Sequence, residues 1–299
     1  EKILKEKNHS YAYLPRWYSA KNPLKVRHAQ KILKDRNIPF INIYAFVTIK
    51  DVIILFYWLI KYPFSILKWK KSISISTFRD EIFVVALYES LTTTTIDAYF
   101  RYLIAGKLAG SQNLKRIYSW SEGQLVDRLF YKGLKEGNSN AQVYGCQLFL
   151  QAKKQTYTIF TEVDRKFNLV PDIVLTNGPY YTNQSCSVPI RDGVALRSLA
   201  TLESEFEGMA GSDILVLLPY YRDEMIELMV MLKSSSLAMK RIKIKPHPIY
   251  DIFDFSPYIT SSWEIVDDNL NKLLTHSEIV ITIGTSTSVD AVVMGKSIL

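Results

Sequence analysis

Short apolar stretches alternate with helical stretches over the last third of the chain, and this alternation limits the possible folds more than any other feature. Strands are predicted at 214–218, 241–245 and 278–283, where β-branched or alternating apolar residues occur. A helix is predicted at 222–233, where Met and Leu recur at helical spacing. Strands that alternate with helices in this way predict an α/β fold with a parallel sheet.

The same alternation occurs once earlier in the chain. There a strand is predicted at 114–119, a helix at 122–135, and further strands at 142–149 and 172–175. Residues 179–212 show little periodicity and contain glycines and prolines, which is typical of a domain boundary. We therefore predict a basic N-terminal segment and two Rossmann-like domains. Their ranges are 1–75 for the segment, 76–185 for the first domain and 186–299 for the second.

Positive charge is concentrated in the first quarter of the chain. Residues 1–72 carry 15 Lys and Arg against 4 Asp and Glu, whereas the whole chain of 299 residues carries 37 against 29. Such a segment favours an anionic partner, and we expect membrane headgroups there and no nucleic acid. Cys146 and Cys186 are too few for a disulfide framework, which predicts a cytoplasmic location. Because the segment that opens at Glu1 is charged and not apolar, we expect no signal peptide, and we expect a fragment of a longer protein, with an incomplete second domain.

An apolar, aromatic stretch at 44–69 lies between two predicted helices, 24–36 and 81–108. A membrane-spanning helix needs about 20 mostly apolar residues, and Lys50, Asp51 and Lys61 interrupt this stretch, so spanning is not expected. We predict a helix in the membrane interface, with a buried core helix as the alternative. The aromatic residues placed at headgroup level and the lysines placed on acidic lipid are Phe56, Tyr57, Trp58, Trp69, Lys61, Lys68, Lys70 and Lys71.

Two polar turns follow predicted strands of the last third, and we expect these two strands to be neighbours in the sheet. Lys245 and His247 stand in a Lys-Pro-His-Pro turn, where the prolines fix the backbone and the side chains offer a cation and an imidazole to phosphate. The stretch 284–288 reads Gly-Thr-Ser-Thr-Ser before a short helix with Asp290 in its first turn. Backbone N–H groups and hydroxyls at a helix start can bind phosphate. Each turn also has an ordinary interpretation, as a solvated turn or a helix cap.

Together, the two turns resemble the C-terminal nucleotide-binding domain of bacterial GT-B glycosyltransferases. The likeness is greatest to Kdo and sialic acid transferases with a His-Pro motif and to CDP-glycerol polymerising enzymes of capsule, lipopolysaccharide and teichoic-acid synthesis. It implies that His247 contacts the nucleotide phosphate or ribose, and that the acidic position, usually Glu in such enzymes, is Asp290. The residues that the resemblance assigns to the sugar nucleotide are Lys245, His247, Gly284, Thr285, Ser286, Thr287, Ser288 and Asp290.

A second motif lies at the end of the first predicted strand. The segment 119–124 reads Ser-Trp-Ser-Glu-Gly-Gln and resembles the Trp-x-Glu-x-Gln segment of surface-carbohydrate biosynthesis proteins. Glu122 would stand between a strand and a helix, where a carboxylate can deprotonate an acceptor hydroxyl. We take Glu122 as the expected catalytic base and Asp127 as the second choice. Glu122 could equally be a carboxylate that stabilises the helix N-terminus.

The resemblance implies a GT-B-like architecture, in which two Rossmann-like domains with parallel sheets face a cleft. We expect a metal-independent glycosyltransferase without a cofactor, peripheral on the inner face of the cytoplasmic membrane. It would move a sugar from a nucleotide-activated donor, CMP-linked and of Kdo or sialic type, to a glycan or lipid-linked acceptor. The alternatives are a CDP-glycerol-type polyol-phosphate transferase, a UDP-sugar 2-epimerase of the same fold, and a non-catalytic membrane-associated assembly subunit.

Overall fold

The chain forms an α/β structure with two parallel sheets in the computed structural model. The predicted fold class is therefore confirmed, while the GT-B architecture stays a prediction. The structure describes residues 10–15, 22–111, 113–137, 140–147, 159–179, 182, 185–193, 211–248, 250, 257–285 and 287–299.

Nine helices and nine strands lie in these described residues. The helices are α1 Pro23–Asp35, α2 Ile49–Ser72, α3 Phe78–Glu89, α4 Thr93–Ser111, α5 Leu125–Glu136, α6 Glu162–Lys166, α7 Arg222–Ser234, α8 Leu270–His276 and α9 Thr287–Val293. The strands are β1 Arg116–Trp120, β2 Gln142–Cys146, β3 Ile173–Thr176, β4 Ile190–Asp192, β5 Asp213–Leu217, β6 Ile242–Lys245, β7 Trp263–Ile265, β8 Ser277–Thr282 and β9 Ser297–Ile298.

The chain divides into two compact units. The first comprises residues 1–146, 154–174 and 184–191, and the second comprises residues 147–153, 175–183 and 192–299. The basic segment 1–75 falls within the first unit.

A four-stranded sheet with the order β1-β2-β3-β4 organises the earlier part of the chain. Strands β1 and β2 pair in parallel, with Tyr118 opposite Tyr144. A buried cluster packs against this sheet and includes Tyr131, Leu134 and Phe160, which are almost fully inaccessible to solvent. The members of this cluster come from β2, from α4 and α5, and from the segment that precedes α6. The core of the first unit therefore lies between the sheet and its helices.

Helices α4 and α5 approach each other closely because glycines line their contact. A β-carbon on Gly133 would collide with the carbonyl oxygen of Tyr102, and one on Gly137 would collide with that of Gly106. Any larger residue at Gly133 or Gly137 would therefore push the two helices apart. The packed helices cover the sheet and hold the start of α5 at the end of β1.

Capping residues account for the boundaries of the first helices. Thr48 and Asp51 form a reciprocal capping box at the start of α2, and Asp51 is buried in an ion pair with Lys107 of α4. The predicted single helix 81–108 is wrong in one respect, because the structure divides it into α3 and α4. The divide falls at Ser90, whose side chain donates to Leu87 O while its own carbonyl accepts from the Thr95 hydroxyl at 2.5 Å.

A five-stranded sheet organises the second unit, with the order β7-β6-β5-β8-β9. All four of its strand pairs are parallel. Numbered along the chain from β5, this is the order 3-2-1-4-5 of a Rossmann sheet. Leu215 and Val216 of β5 and Met225 and Met229 of α7 are completely buried, which confirms the predicted core face of that helix.

Most predicted elements of both regions are confirmed to within a few residues, but three short ones were missed. These are α6, β4 and β7, which contain five, three and three residues. Elements of this length carry too few residues to show a periodic pattern.

Candidate functional site

Three turns of the second unit meet at the carboxyl edge of its sheet. They follow β5, β6 and β8, which are mutually parallel neighbours in the order β6-β5-β8. The point between β5 and β8 is where the strand order reverses, and open α/β sheets bind ligands at this point. The expectation that the Lys-Pro-His-Pro turn and the hydroxyl-rich turn follow adjoining strands is wrong, because β5 lies between them. The ends of β6 and β8 are therefore two strand spacings apart, or about 10 Å.

The turn after β6 holds Lys245 and His247 at this edge. Leu218 N donates to Lys245 O at 3.1 Å, and Tyr250 N donates to His247 O at 3.0 Å, so the backbone is fixed on both sides of Pro246. The Lys245 ammonium lies 3.5 Å from Asp267 Oδ1, and the Asp267 side chain is 84% exposed. An ion pair with so exposed a partner is weak, and an anionic ligand could compete with Asp267 for this ammonium.

The His247 ring is partly buried, and its surroundings lower its pKa. Burial disfavours the charged imidazolium, so the pKa of His247 lies below its usual value. Its ring stands perpendicular to that of Tyr220, with centroids 5.3 Å apart. The imidazole therefore carries little positive charge at neutral pH until an anion approaches it.

The turn after β5 contributes Tyr220 and Tyr221, which the sequence analysis did not single out. Both side chains are exposed, and their rings meet edge to face at 5.3 Å. Tyr250 donates its hydroxyl hydrogen to Tyr220 O at 2.9 Å, which joins the turn after β5 to the segment after β6. The sequence signal was present, since a Pro-Tyr-Tyr-Arg run directly follows a predicted strand.

Some hydroxyls of the turn after β8 already form hydrogen bonds within that turn. Gly284 has a φ of 60°, which a glycine adopts without strain. The Thr285 hydroxyl accepts from Thr287 N at 3.2 Å, and the Ser288 hydroxyl donates to Thr285 O at 2.8 Å. These hydroxyls therefore begin helix α9, as the capping interpretation expects. Ser286 lies outside the described residues.

Asp290, the predicted ribose partner, is buried in the first turn of α9. Glu224 of α7 also stands next to the hydroxyl-rich turn. A β-carbon built on Gly284 would lie 3.9 Å from Glu224 Oε2. A carboxylate so placed suits hydroxyl groups, which donate hydrogen bonds to it. Glu224 is thus a second candidate for contact with a ribose, and nothing in its sequence context indicated this.

In the first unit, Glu122 lies between β1 and α5, as predicted. Gln124 donates its side-chain amide to Glu122 Oε2 at 2.6 Å, which orients the carboxylate. Asp127 is buried, and its Oδ2 accepts from the backbone N of Glu122 at 3.0 Å and of Gln124 at 3.3 Å. The geometry therefore accounts for Asp127 as a structural residue at the start of α5, and Glu122 remains the predicted base.

Arg128 completes the network around this loop. Its Nε donates to Gly123 O at 2.8 Å, its guanidinium pairs with Asp164, and it lies 5.1 Å from the centre of the Phe160 ring. Burial would raise the pKa of Asp164, but hydrogen bonds from the Thr161 backbone and the Arg128 guanidinium together lower it. The loop 121–124 is thus held by groups of its own unit.

No group of three or more His, Cys, Asp or Glu side chains with metal-binding geometry occurs in the part of the chain that the structure describes. A scan against protein-family models and a search of curated proteins find no match to this chain.

Proposed function

We propose that the protein is a glycosyltransferase whose second unit binds the nucleotide-activated sugar donor. The observation that supports this most is the parallel order β6-β5-β8, which brings three polar turns to one sheet edge at the reversal of strand order. Lys245 and His247 supply cationic and donor groups there, and Tyr220 and Tyr221 supply exposed rings. This combination suits a ligand with a phosphate and a flat base.

The proposed reaction is glycosyl transfer. An acceptor hydroxyl oxygen attacks the anomeric carbon of the sugar, the bond from that carbon to the phosphate oxygen breaks, and the nucleotide leaves with the electron pair. Lys245 and His247 stabilise the charge that develops on the leaving phosphate. A base must take up the acceptor proton, and the sequence motif suggests for this role the Glu122 carboxylate, which Gln124 orients. CMP-linked Kdo or sialic-type sugars are the proposed donors.

Thermal unfolding in the presence of CMP, CDP, UDP and GDP tests the donor assignment. One nucleotide should raise the unfolding temperature, because ligand at about 100 times its Kd adds about 2.7 kcal/mol to the free energy of unfolding. Stabilisation by none of the four would contradict the proposal and favour a non-catalytic subunit.

A matched pair of variants shows whether the nucleotide binds at the proposed edge. Lys245→Ala with His247→Ala removes both groups at the carboxyl edge, whereas Lys240→Ala with His276→Ala removes the same residue types before β6 and at the end of α8, where β8 begins. Only the first pair should abolish the thermal shift. Turnover of UDP-GlcNAc without an acceptor would instead identify an epimerase.

A further inference from the structure

Helix α2 of the first unit carries a continuous row of exposed apolar side chains. Its members recur every three or four residues, which places them on one face of the helix. Each of these side chains is between 48% and 81% exposed. The members of this apolar row are Ile49, Ile53, Phe56, Ile60, Phe64 and Leu67.

The opposite face of α2 is fixed to the first unit near both ends of the helix. Asp51 is buried and paired with Lys107 of α4, and Ile66 is completely buried. Between them, Tyr62 donates its hydroxyl hydrogen to Ser90 Oγ at 2.8 Å. Because both ends are attached to the same folded body, the direction in which the apolar row faces is determined.

Three lysines run alongside the apolar row. Lys50, Lys61 and Lys68 are spaced by eleven and seven residues, so they share one side of the helix, about 100° from the centre of the row. The only acidic residue of α2 is Asp51, which forms an ion pair with Lys107. The exposed part of α2 therefore combines an apolar row with charge of a single sign.

We propose that the apolar row of α2 docks on the surface of an anionic bilayer, with the helix in the plane of the membrane. An apolar face flanked by lysines is the pattern of helices that bind this interface. Helix α3 adds exposed Phe78, Ile82 and Val85 directly after α2. This inference does not depend on the nucleotide site, which belongs to the other unit.

A second copy of the chain fits this surface less well. Two apolar rows brought together would place Lys50, Lys61 and Lys68 of both copies beside one interface, and α2 offers no exposed carboxylate to pair with them. Like charges at an interface oppose association. Anionic lipid supplies the opposite charge that a second α2 lacks.

An orientation in the plane also fits better than spanning. By length and composition, α2 could cross a membrane, with a mean hydropathy of 1.4 over its best window. However, the ion pair of Asp51 with Lys107 and the hydrogen bond of Tyr62 to Ser90 attach one face of the helix to the first unit at two separate points. The Trp58 ring lies 5.0 Å from the Tyr99 ring between centroids and 39% of the residue is exposed, so its place at headgroup level stays a prediction.

Vesicle co-sedimentation of the whole chain tests the proposal. We expect binding to vesicles of 70% phosphatidylcholine and 30% phosphatidylserine, and little binding to phosphatidylcholine alone. The variant with Phe56→Ser, Ile60→Ser and Phe64→Ser should lose this binding. Because the three side chains are exposed, the variant should keep the circular dichroism spectrum of the parent.

A lysine variant measures the electrostatic part of the binding. Lys50→Gln, Lys61→Gln and Lys68→Gln should together weaken binding to the anionic vesicles about 100-fold, since each lysine near such a surface contributes about fivefold.

A control variant is matched to the three serine substitutions in α2. Val230→Ser, Met231→Ser and Met239→Ser remove exposed apolar groups from the second unit and should leave vesicle binding unchanged.

Three results would overturn the proposal. The first is equal vesicle binding by the parent chain and by the Phe56, Ile60 and Phe64 variant. The second is equal binding of the parent to neutral and anionic vesicles. The third is a parent chain that does not bind vesicles but self-associates in analytical ultracentrifugation, while the variant with the three serines is monomeric. That result would mean that the apolar row is a contact between copies of the chain.

Discussion

The carboxyl edges of the two sheets begin from the same pattern, a strand, a polar turn and a helix, but they use their polar groups differently. In the first sheet, Asp127 accepts from the backbone N of Glu122 and Gln124, and Arg128 binds Gly123 O. In the second sheet, the Lys245 ammonium faces only the exposed Asp267 carboxylate among the ion pairs that the structure describes.

A structural edge can be distinguished from a binding edge by the partners of its polar groups. Buried polar groups that satisfy each other, such as Asp127 with the loop 121–124, contribute to folding. A cation whose ion pair involves an 84% exposed carboxylate contributes little to stability, because water screens the pair. Substitution of Asp127 at the first edge should therefore affect stability, and substitution of Lys245 at the second edge should affect nucleotide affinity.

The largest effect is expected from the double variant Lys245→Ala and His247→Ala. Each removed group would make a charge-assisted hydrogen bond to phosphate, so nucleotide affinity should fall about 100-fold or more. Isothermal titration calorimetry with the stabilising nucleotide measures this. The urea midpoint should hardly change, and a large loss of stability would show that the two edges do not differ as described.

Asp127→Ala should have the opposite profile. The variant leaves the backbone N–H groups of Glu122 and Gln124 without this acceptor at the start of α5, which costs about 1–2 kcal/mol of folding free energy. Urea unfolding measures the loss, and Asp127→Asn should retain part of the stability. If Asp127→Ala abolished glycosyl transfer in a stable protein, Asp127 would be catalytic after all.

The pH dependence of nucleotide binding should sharpen the contrast further. Burial lowers the pKa of His247 in the free protein, and a bound phosphate favours the imidazolium and raises that pKa. Binding therefore takes up a proton, and the contribution of His247 to affinity should rise as the pH falls from about 7.5 to about 6. His247→Gln should remove this part of the dependence and leave only the titration of the phosphate itself.

The same lowered pKa has a small effect on folding. The unfolded chain binds a proton to His247 more readily than the folded chain does, so the free energy of unfolding falls as the pH drops below the unfolded pKa, about 6.5. Comparing the parent with His247→Gln in urea at pH 5.5 and pH 7.5 measures this difference. A parent that gained stability at the lower pH relative to the variant would contradict the assignment.

The smallest effect concerns the end of β2. Burial raises the pKa of the Cys146 thiol to about 11, so very little reactive thiolate is present at neutral pH. Iodoacetamide should modify Cys186, which is partly exposed, well before Cys146 in the native protein, as mass spectrometry would show. Rapid modification of Cys146 would mean that this sheet edge opens to solvent.

Local patterns predicted most of the sheet strands but not their order. The apolar runs of β5 and β8 and the alternating Ile-Lys run of β6 are visible in the sequence, because strands covered on both faces read as apolar runs and strands covered on one face alternate. That β5 lies between the other two depends on tertiary packing, which no local pattern encodes. For the same reason Glu224 was missed at the edge, whereas Tyr220 and Tyr221 stand in a run that directly follows a predicted strand.

The site predictions had mixed outcomes for a related reason. Lys245 and His247 lie at the expected sheet edge, since prolines on both sides of His247 fix a turn locally. The hydroxyl-rich turn was open to two interpretations, and Thr285 and Ser288 are used in hydrogen bonds within it. Sequence alone cannot tell a hydroxyl that caps a helix from one that awaits a ligand.

Hydrogen exchange with mass spectrometry, with and without the nucleotide that stabilises the protein most, tests the central claim most directly. Binding at the carboxyl edge of the second sheet should slow exchange in peptides that cover 218–222, 244–250 and 283–289, and leave 121–128 unchanged. Protection of 121–128 alone, or stabilisation without slower exchange in any of the three turns, would contradict the account.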